Sequence, residues 1–139
     1  MIGRISFSDR EIETGNFDDS LRKQITDQFD QYFAGTRYQF DLPIRPEGTD
    51  FQKRVWEKLV SIPYGNNITY GELALILGDK KLIRAVGGAN SKNPLAIIVP
   101  CHRVIGQNKK LIGYAGGLWR KKWLLQHELT FSPVKNTLL

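Results

Sequence analysis

Apolar positions along the chain mark its elements before any chemistry is considered. Leu21, Ile25, Phe29 and Tyr32/Phe33 recur at helical spacing. They predict a helix from Ser20 to Ala34, capped by Asp19 or Ser20 and stopped by Gly35. Ile2, Ile5 and Phe7 predict a short strand in the otherwise polar stretch 1–19, and Tyr38, Phe40 and Leu42 alternate with polar residues as a second. Pro43 and Pro46-Glu47-Gly48 form a connector. Thr49 with Gln52 is a capping box, and the helix behind it turns Phe51, Val55, Trp56 and Leu59 inward. After a loop at Ile62–Asn67, Thr69 with Glu72 opens a short helix through Leu77, ended by Gly78. Asp79 caps a third helix, Lys80 to about Ala89. Two short helices joined by a tight glycine turn make a helix-turn-helix pattern, which many helical hairpins share. Ser91–Asn93 is a loop. Leu95–Val99 is a continuous apolar run, a buried strand or extended segment, and Gln107–Lys110 a polar turn, read as that of a hairpin. A glycine-rich loop, Gly113–Gly117, leads to an amphipathic helix, Leu118–Glu128, with Trp119, Trp123 and Leu124 available for burial.

The fold class that follows is α+β. A small N-terminal α/β unit spans 1–46, and a mostly helical unit spans 47–139, with the helix-turn-helix at about 69–90. At 139 residues the chain suits one domain, or one with a small appendage. Charge divides at the same connector. Residues 1–50 hold six Lys/Arg against ten Asp/Glu, net −4, and residues 51–139 hold fourteen against four, net +10. A +10 unit of this size is a plausible polyanion binder, although a merely solvated basic surface has the same arithmetic. No apolar run reaches the ~18 residues of a membrane span, and no signal-peptide pattern opens the chain. Both argue for no membrane partner. A single cysteine excludes an internal disulfide, and the two histidines lack ligand-pair spacing, so no metal and no cofactor are expected. An intracellular, reducing compartment, read as cytoplasmic, is expected.

The cysteine itself sits in a chemical setting. Cys101 follows an apolar segment and Pro100 and precedes His102 and Arg103. A thiol must lose its proton to act as a nucleophile, and a neighbouring base or cation helps. The alternative is a small buried cysteine acting as a hydrophobe.

Pro100-Cys101-His102-Arg103-Val104 resembles the active-site signature of the O6-alkylguanine-DNA alkyltransferases. Arg84-Ala85-Val86-Gly87-Gly88-Ala89, Asn93-Pro94, Tyr114-Ala115-Gly116-Gly117 and Trp123-Leu124-Leu125-Gln126-His127-Glu128 resemble family segments in the same order. The resemblance covers about residues 37–128. It implies direct damage reversal: an alkyl group passes once and irreversibly from O6 of guanine to Cys101. It implies that His102 takes the thiol proton through a water and that Glu128 orients the imidazole. It places Asn93 in a hinge between the active-site turn and the DNA-binding helices, and Tyr70 beside the flipped base as a donor. Arg84 would enter the base stack, with Lys81, Ala85, Gly87, Gly88 and Arg103 against DNA. Pro94, Tyr114 and the loop through Ala115 and Gly116 would wall the base pocket, with backbone groups of Val104 and Ala115 reading the guanine edge. The implied partner is double-stranded DNA carrying O6-alkylguanine, held through the minor groove without regard to sequence by a monomer.

The residues also leave other readings. Gly87 could be a helix stop. The N-terminal part is shorter than in full-length members, where some bind zinc; it has no cysteine or histidine here, so none is expected. Position 115 is alanine where some members have serine. A non-catalytic, alkyltransferase-like lesion binder is the principal alternative function, and a helix-turn-helix transcription regulator with a structural cysteine is another. Cys101 argues against the first, and the Gly87-Gly88 pair against the second.

Overall fold

The computed structural model describes residues 1–8 and 18–133. Part of the polar stretch 1–19 and the tail beyond 133 therefore lie outside the described residues. Five α-helices carry the architecture, with a two-stranded parallel sheet and three short 3-10 turns among the described residues. The fold is α+β and mostly helical, as the pattern predicts.

Helix α1 runs Asp19–Phe33. Asp18 caps it by accepting from the Leu21 N–H at 2.7 Å, and Gly35 at φ +83° ends it in a conformation that L side chains avoid. Helix α2, Asp50–Val60, opens on the Thr49/Gln52 capping box and buries Val55, Trp56 and Leu59. Strand β1, Ile68–Thr69, pairs in parallel with β2, Val104–Ile105, in the register Ile68↔Val104 and Thr69↔Ile105. Helix α3, Tyr70–Ile76, starts at the Thr69/Glu72 capping box. Asp79 then accepts from the Lys81 N–H and starts a 3-10 turn, Lys80–Leu82, which leads into α4, Ile83–Ser91.

Helix α4 packs across α2 and α3. It contains Gly87 and Gly88, each costing about 1 kcal/mol against alanine in a helix. Burial of Val86, worth roughly 1.5–3 kcal/mol, and the 2.9 Å bond from Trp56 Nε1 to the Ala89 carbonyl offset that cost. The helix therefore runs through both glycines to Ser91, and Gly87 is not its stop. The main core joins Val55, Leu59, Leu73, Val86, Leu95 and Val104; a second cluster joins Tyr32, Ile97 and Leu124.

Several expected elements take other forms. Ile2 and Ile5 make isolated bridges to Ile44 and Leu95 rather than a strand. Residues 38–42 are not a strand either, because the Gln28 side chain takes the place of a neighbouring backbone. It donates to the Asp41 carbonyl at 2.9 Å and accepts from the Asp41 N–H at 2.8 Å. Leu95–Val99 folds into a tight turn, with Val99 N–H on the Leu95 carbonyl and Ile97 at φ +72°. A β-branched residue there is strained by about 1–3 kcal/mol. Gln107–Lys110 is the polar turn expected there: Asn108 and Lys109 lie at φ +58° and +61°, and the Gly106 N–H donates to the Lys110 carbonyl at 2.7 Å across it, although β2 pairs with β1 and no regular strand follows the turn among the described residues. The last helix, α5, extends over Leu118–Phe131 and buries Lys121, Leu124, His127 and Glu128. Trp119 and Trp123 are exposed, covered on one face by the Arg120 guanidinium and the His127 ring respectively.

Candidate active site

Cys101 begins a 3-10 turn, Cys101–Arg103, that the strained 95–99 turn delivers. Pro100 cannot continue a ladder, and the Cys101 N–H closes back on the Val99 carbonyl at 2.8 Å. Asn93 braces this turn by donating to the Val99 carbonyl at 2.7 Å and accepting from the Leu95 N–H at 3.0 Å. Burial pushes the Cys101 thiol up; the Asn93 amide and the Lys121 ammonium pull the other way without overcoming it. The resting sulfur is therefore a thiol and needs a base.

The 3-10 geometry sends His102 inward, where it is fully buried. Its Nε2 lies 2.7 Å from Glu128 Oε2. Burial alone would raise the Glu128 carboxyl, but the hydrogen bonds from His102 and Arg103 and the Arg103 charge outweigh it and hold it well below the usual carboxylate range. An ionised carboxylate only accepts, so the hydrogen-bond network assigns the proton to Nε2. Nδ1 is left as a buried lone pair with no hydrogen bond among the described residues. Burial also lowers the His102 pKa, against the pull of Glu128, so the ring is neutral. A neutral imidazole with a free Nδ1 can accept a proton.

Arg103 is not a surface contact. It is 6% exposed, donates from Nε and Nη2 to Glu128 at 2.7 and 3.0 Å, and from Nη1 to the Ile62 carbonyl at 2.7 Å. Its expected place against DNA is corrected: the side chain is buried, and three of its N–H groups are spent on Glu128 and the Ile62 carbonyl inside the protein. The Val104 side chain is in the core, and its N–H donates to the Cys101 carbonyl.

That cavity is a cleft of about 570 Å³ lined by Asn93, Pro94, Cys101, Tyr114, Ala115 and Gly116 among others. Its size suits a small organic ligand. Tyr114 is mostly enclosed, and its hydroxyl has no hydrogen bond among the described residues. The N-terminal segment also reaches the cleft: Phe7 packs edge-on against Tyr114. Tyr70 stands beside the cleft at the head of α3, its hydroxyl 3.2 Å from the carbonyls of Ile112 and Gly113.

Lys81, Arg84, Ala85 and Gly88 are exposed along the 80–91 segment, and Gly87 is half-buried. A Cβ on Gly88 would meet nothing within 4 Å, and one on Gly87 only the Tyr70 ring at 4.0 Å. Nothing inside the protein requires glycine at either position.

Three residues of the site were not anticipated. Asn90, 1% exposed, donates to the Cys101 carbonyl at 3.3 Å and to the Tyr70 hydroxyl at 3.4 Å, and so links α4 to the cysteine turn. Lys121 is fully buried, donates to the Ile112 carbonyl at 2.7 Å and sits 5.6 Å from the Tyr70 ring centroid. Burial lowers it to about 8. Tyr32 donates to Glu128 Oε2 at 2.6 Å. The spacing 121, 124, 128 places Lys121 on the apolar face of α5, which was the available signal.

Among the described residues no group of three or more His, Cys, Asp or Glu could hold a metal, and no helix is long and apolar enough to cross a membrane.

Comparison with known proteins is consistent with this geometry. The family model described as 6-O-methylguanine DNA methyltransferase, DNA binding domain, matches residues 50–130, and the ribonuclease-like domain of the same description matches 2–46. A methylated-DNA–protein-cysteine methyltransferase of Methanosarcina acetivorans is 56% identical over 106 residues, 76% of this chain and 68% of that protein. The crystal structure of Mycobacterium tuberculosis OGT in complex with DNA is 51% identical at a TM-score of 0.76, over 81% of this chain and 70% of that one. S. pombe Atl1 in complex with damaged DNA containing O6-carboxymethylguanine is 32% identical at a TM-score of 0.51, over 59% of this chain and 78% of that one.

Proposed function

The chain belongs to the 6-O-methylguanine DNA methyltransferase family, and from that premise we propose that it repairs DNA by moving an alkyl group from O6 of guanine to Cys101. The Cys101 sulfur attacks the alkyl carbon; an S–C bond forms as the C–O6 bond breaks. The thiol proton passes through one water to His102 Nδ1, the atom the site leaves unbonded. Glu128 holds the imidazole by Nε2 and favours its charged form. Tyr70 donates to the departing guanine. The thioether is stable, so each molecule acts once.

A base stacked in a duplex is out of reach of a buried sulfur, so the target is flipped into the cleft, at a few kcal/mol. Arg84 fills the space it leaves. Gly87 and Gly88 let the α4 backbone close on the minor groove, a reading supported by the open space beyond both. Backbone and phosphate contacts carry little sequence information, which suits a protein that must meet lesions anywhere. The protein works on duplex DNA as a monomer.

The observation that carries this reading is the geometry: Cys101 and His102 share one turn, His102 Nε2 is held by Glu128 at 2.7 Å, and His102 Nδ1 is left without a partner among the described residues. The test is loss of label from a duplex bearing one methyl-labelled O6-methylguanine. Wild type should clear one lesion per molecule and Cys101→Ala none; label removal by Cys101→Ala would end the proposal.

A further inference from the structure

One group at the His102–Glu128 pair comes from the N-terminal part of the chain. Tyr32, on α1, is fully buried, and its hydroxyl donates to Glu128 Oε2, the oxygen that also takes His102 Nε2–H. Helix α5 grips Tyr32 at both ends: Glu128 takes the hydroxyl, and His127 donates from Nε2 to the Tyr32 carbonyl at 2.7 Å. The ring packs against Phe40 at 5.5 Å and edge-on against Tyr64 at 6.1 Å, which leaves the hydroxyl one direction.

We propose that Tyr32 is a positioning residue for the proton relay, through which the N-terminal unit fixes the Glu128 carboxylate and moderates its pull on His102. This rests on the alkyl-transfer reading. The carboxylate receives four donors: Arg103 Nε on Oε1, and His102, Tyr32 and Arg103 Nη2 on Oε2. With Arg103 forked across both oxygens, the Tyr32 hydroxyl decides how Oε2 is shared with His102. It also disperses negative charge that would otherwise favour imidazolium. The other titratable groups facing this cluster are Tyr64 beside Tyr32, Cys101, Tyr114 from the glycine-rich loop, and Lys121 and His127 from α5.

The sign follows from the charge. Removing the hydroxyl leaves Glu128 a stronger counter-ion, so His102 protonates at higher pH and the base form is lost sooner on acidification. Tyr32→Phe should move the acid limb of the single-turnover methyl-transfer profile up by about 0.5–1 pH unit and lower its plateau about tenfold. The downfield His102 imidazole N–H proton should shift in the same variant. Replacement of Tyr32 by 3,5-difluorotyrosine keeps the shape, strengthens the donor and should move the limb down. Tyr64→Phe removes a buried hydroxyl that has no partner among the described residues and should leave the profile in place.

A Tyr32→Phe protein whose melting temperature falls while its limb and its N–H resonance stay put would reduce Tyr32 to packing and overturn the proposal. So would a difluorotyrosine protein that matches wild type. If wild type transfers no methyl group, the repair reading falls, and the N–H resonance still decides the role of Tyr32.

Discussion

Replacing Arg103 with methionine separates a buried strut from a DNA contact. Three hydrogen bonds disappear, two to Glu128 and one to the Ile62 carbonyl. Removing one member of a buried ion pair costs about 3–5 kcal/mol, because the other charge stays behind without its partner. The methionine restores some apolar contact, so about 4 kcal/mol at neutral pH is the working figure. For a chain of this size that is a drop of roughly 10–20 °C in melting temperature. The loss also depends on pH. The Glu128 carboxyl is depressed in the folded state, so its stabilisation is present above its unfolded value and is lost as pH falls through the folded one. Without Arg103 less of that stabilisation exists. The gap between wild type and Arg103→Met should therefore be widest above about pH 5 and narrow below about pH 4. Thermal melts at several pH values read this directly, and duplex affinity across a salt series supplies the contrast. A variant with unchanged melting temperature, but with a salt slope reduced by about one phosphate contact, would refute the argument and restore Arg103 to the DNA surface.

Other residues carry equally specific consequences. Lys121→Met removes the ammonium that pulls the thiol down, and transfer should slow in single-turnover kinetics. Because burial depresses Lys121 to about 8, wild type should gain stability relative to this variant between about pH 8 and 10.5, measured by denaturant melts. Gly88→Ala should raise helix stability by about 0.5–1 kcal/mol, since a Cβ there meets nothing, while weakening duplex binding severalfold in a titration. Arg84→Ala should slow repair in duplex DNA more than reaction with the free base; equal loss on both substrates would remove Arg84 from flipping.

What the sequence disclosed was local chemistry. Both capping boxes, at Thr49 and Thr69, lie within four consecutive residues, and the structure keeps them. The apolar spacing of Val55, Trp56 and Leu59 named the buried face of α2. The misread segments are those decided by distant partners. Residues 38–42 look like a strand until Gln28, thirteen residues earlier, supplies both of Asp41's hydrogen bonds. Leu95–Val99 looks extended because it is β-branched and apolar, yet Asn93 and a strained Ile97 bend it to present Cys101. The site was legible where the family signature is contiguous. Arg103 was misplaced because its charge suggests a surface, whereas only the fold brings Glu128 and the Ile62 carbonyl around it. Tyr32 escaped notice because its face of α1 looks like ordinary core, and the ninety-six residues to Glu128 are closed only by packing.

The central claim stands or falls on the mass of the intact protein after incubation with a duplex carrying a single O6-methylguanine. The account predicts a gain of one methylene, located on the peptide that contains Cys101 and stopping at one per molecule however much DNA is added. A protein that binds the lesion duplex and keeps its original mass would contradict it and leave a lesion binder in place of an alkyl acceptor.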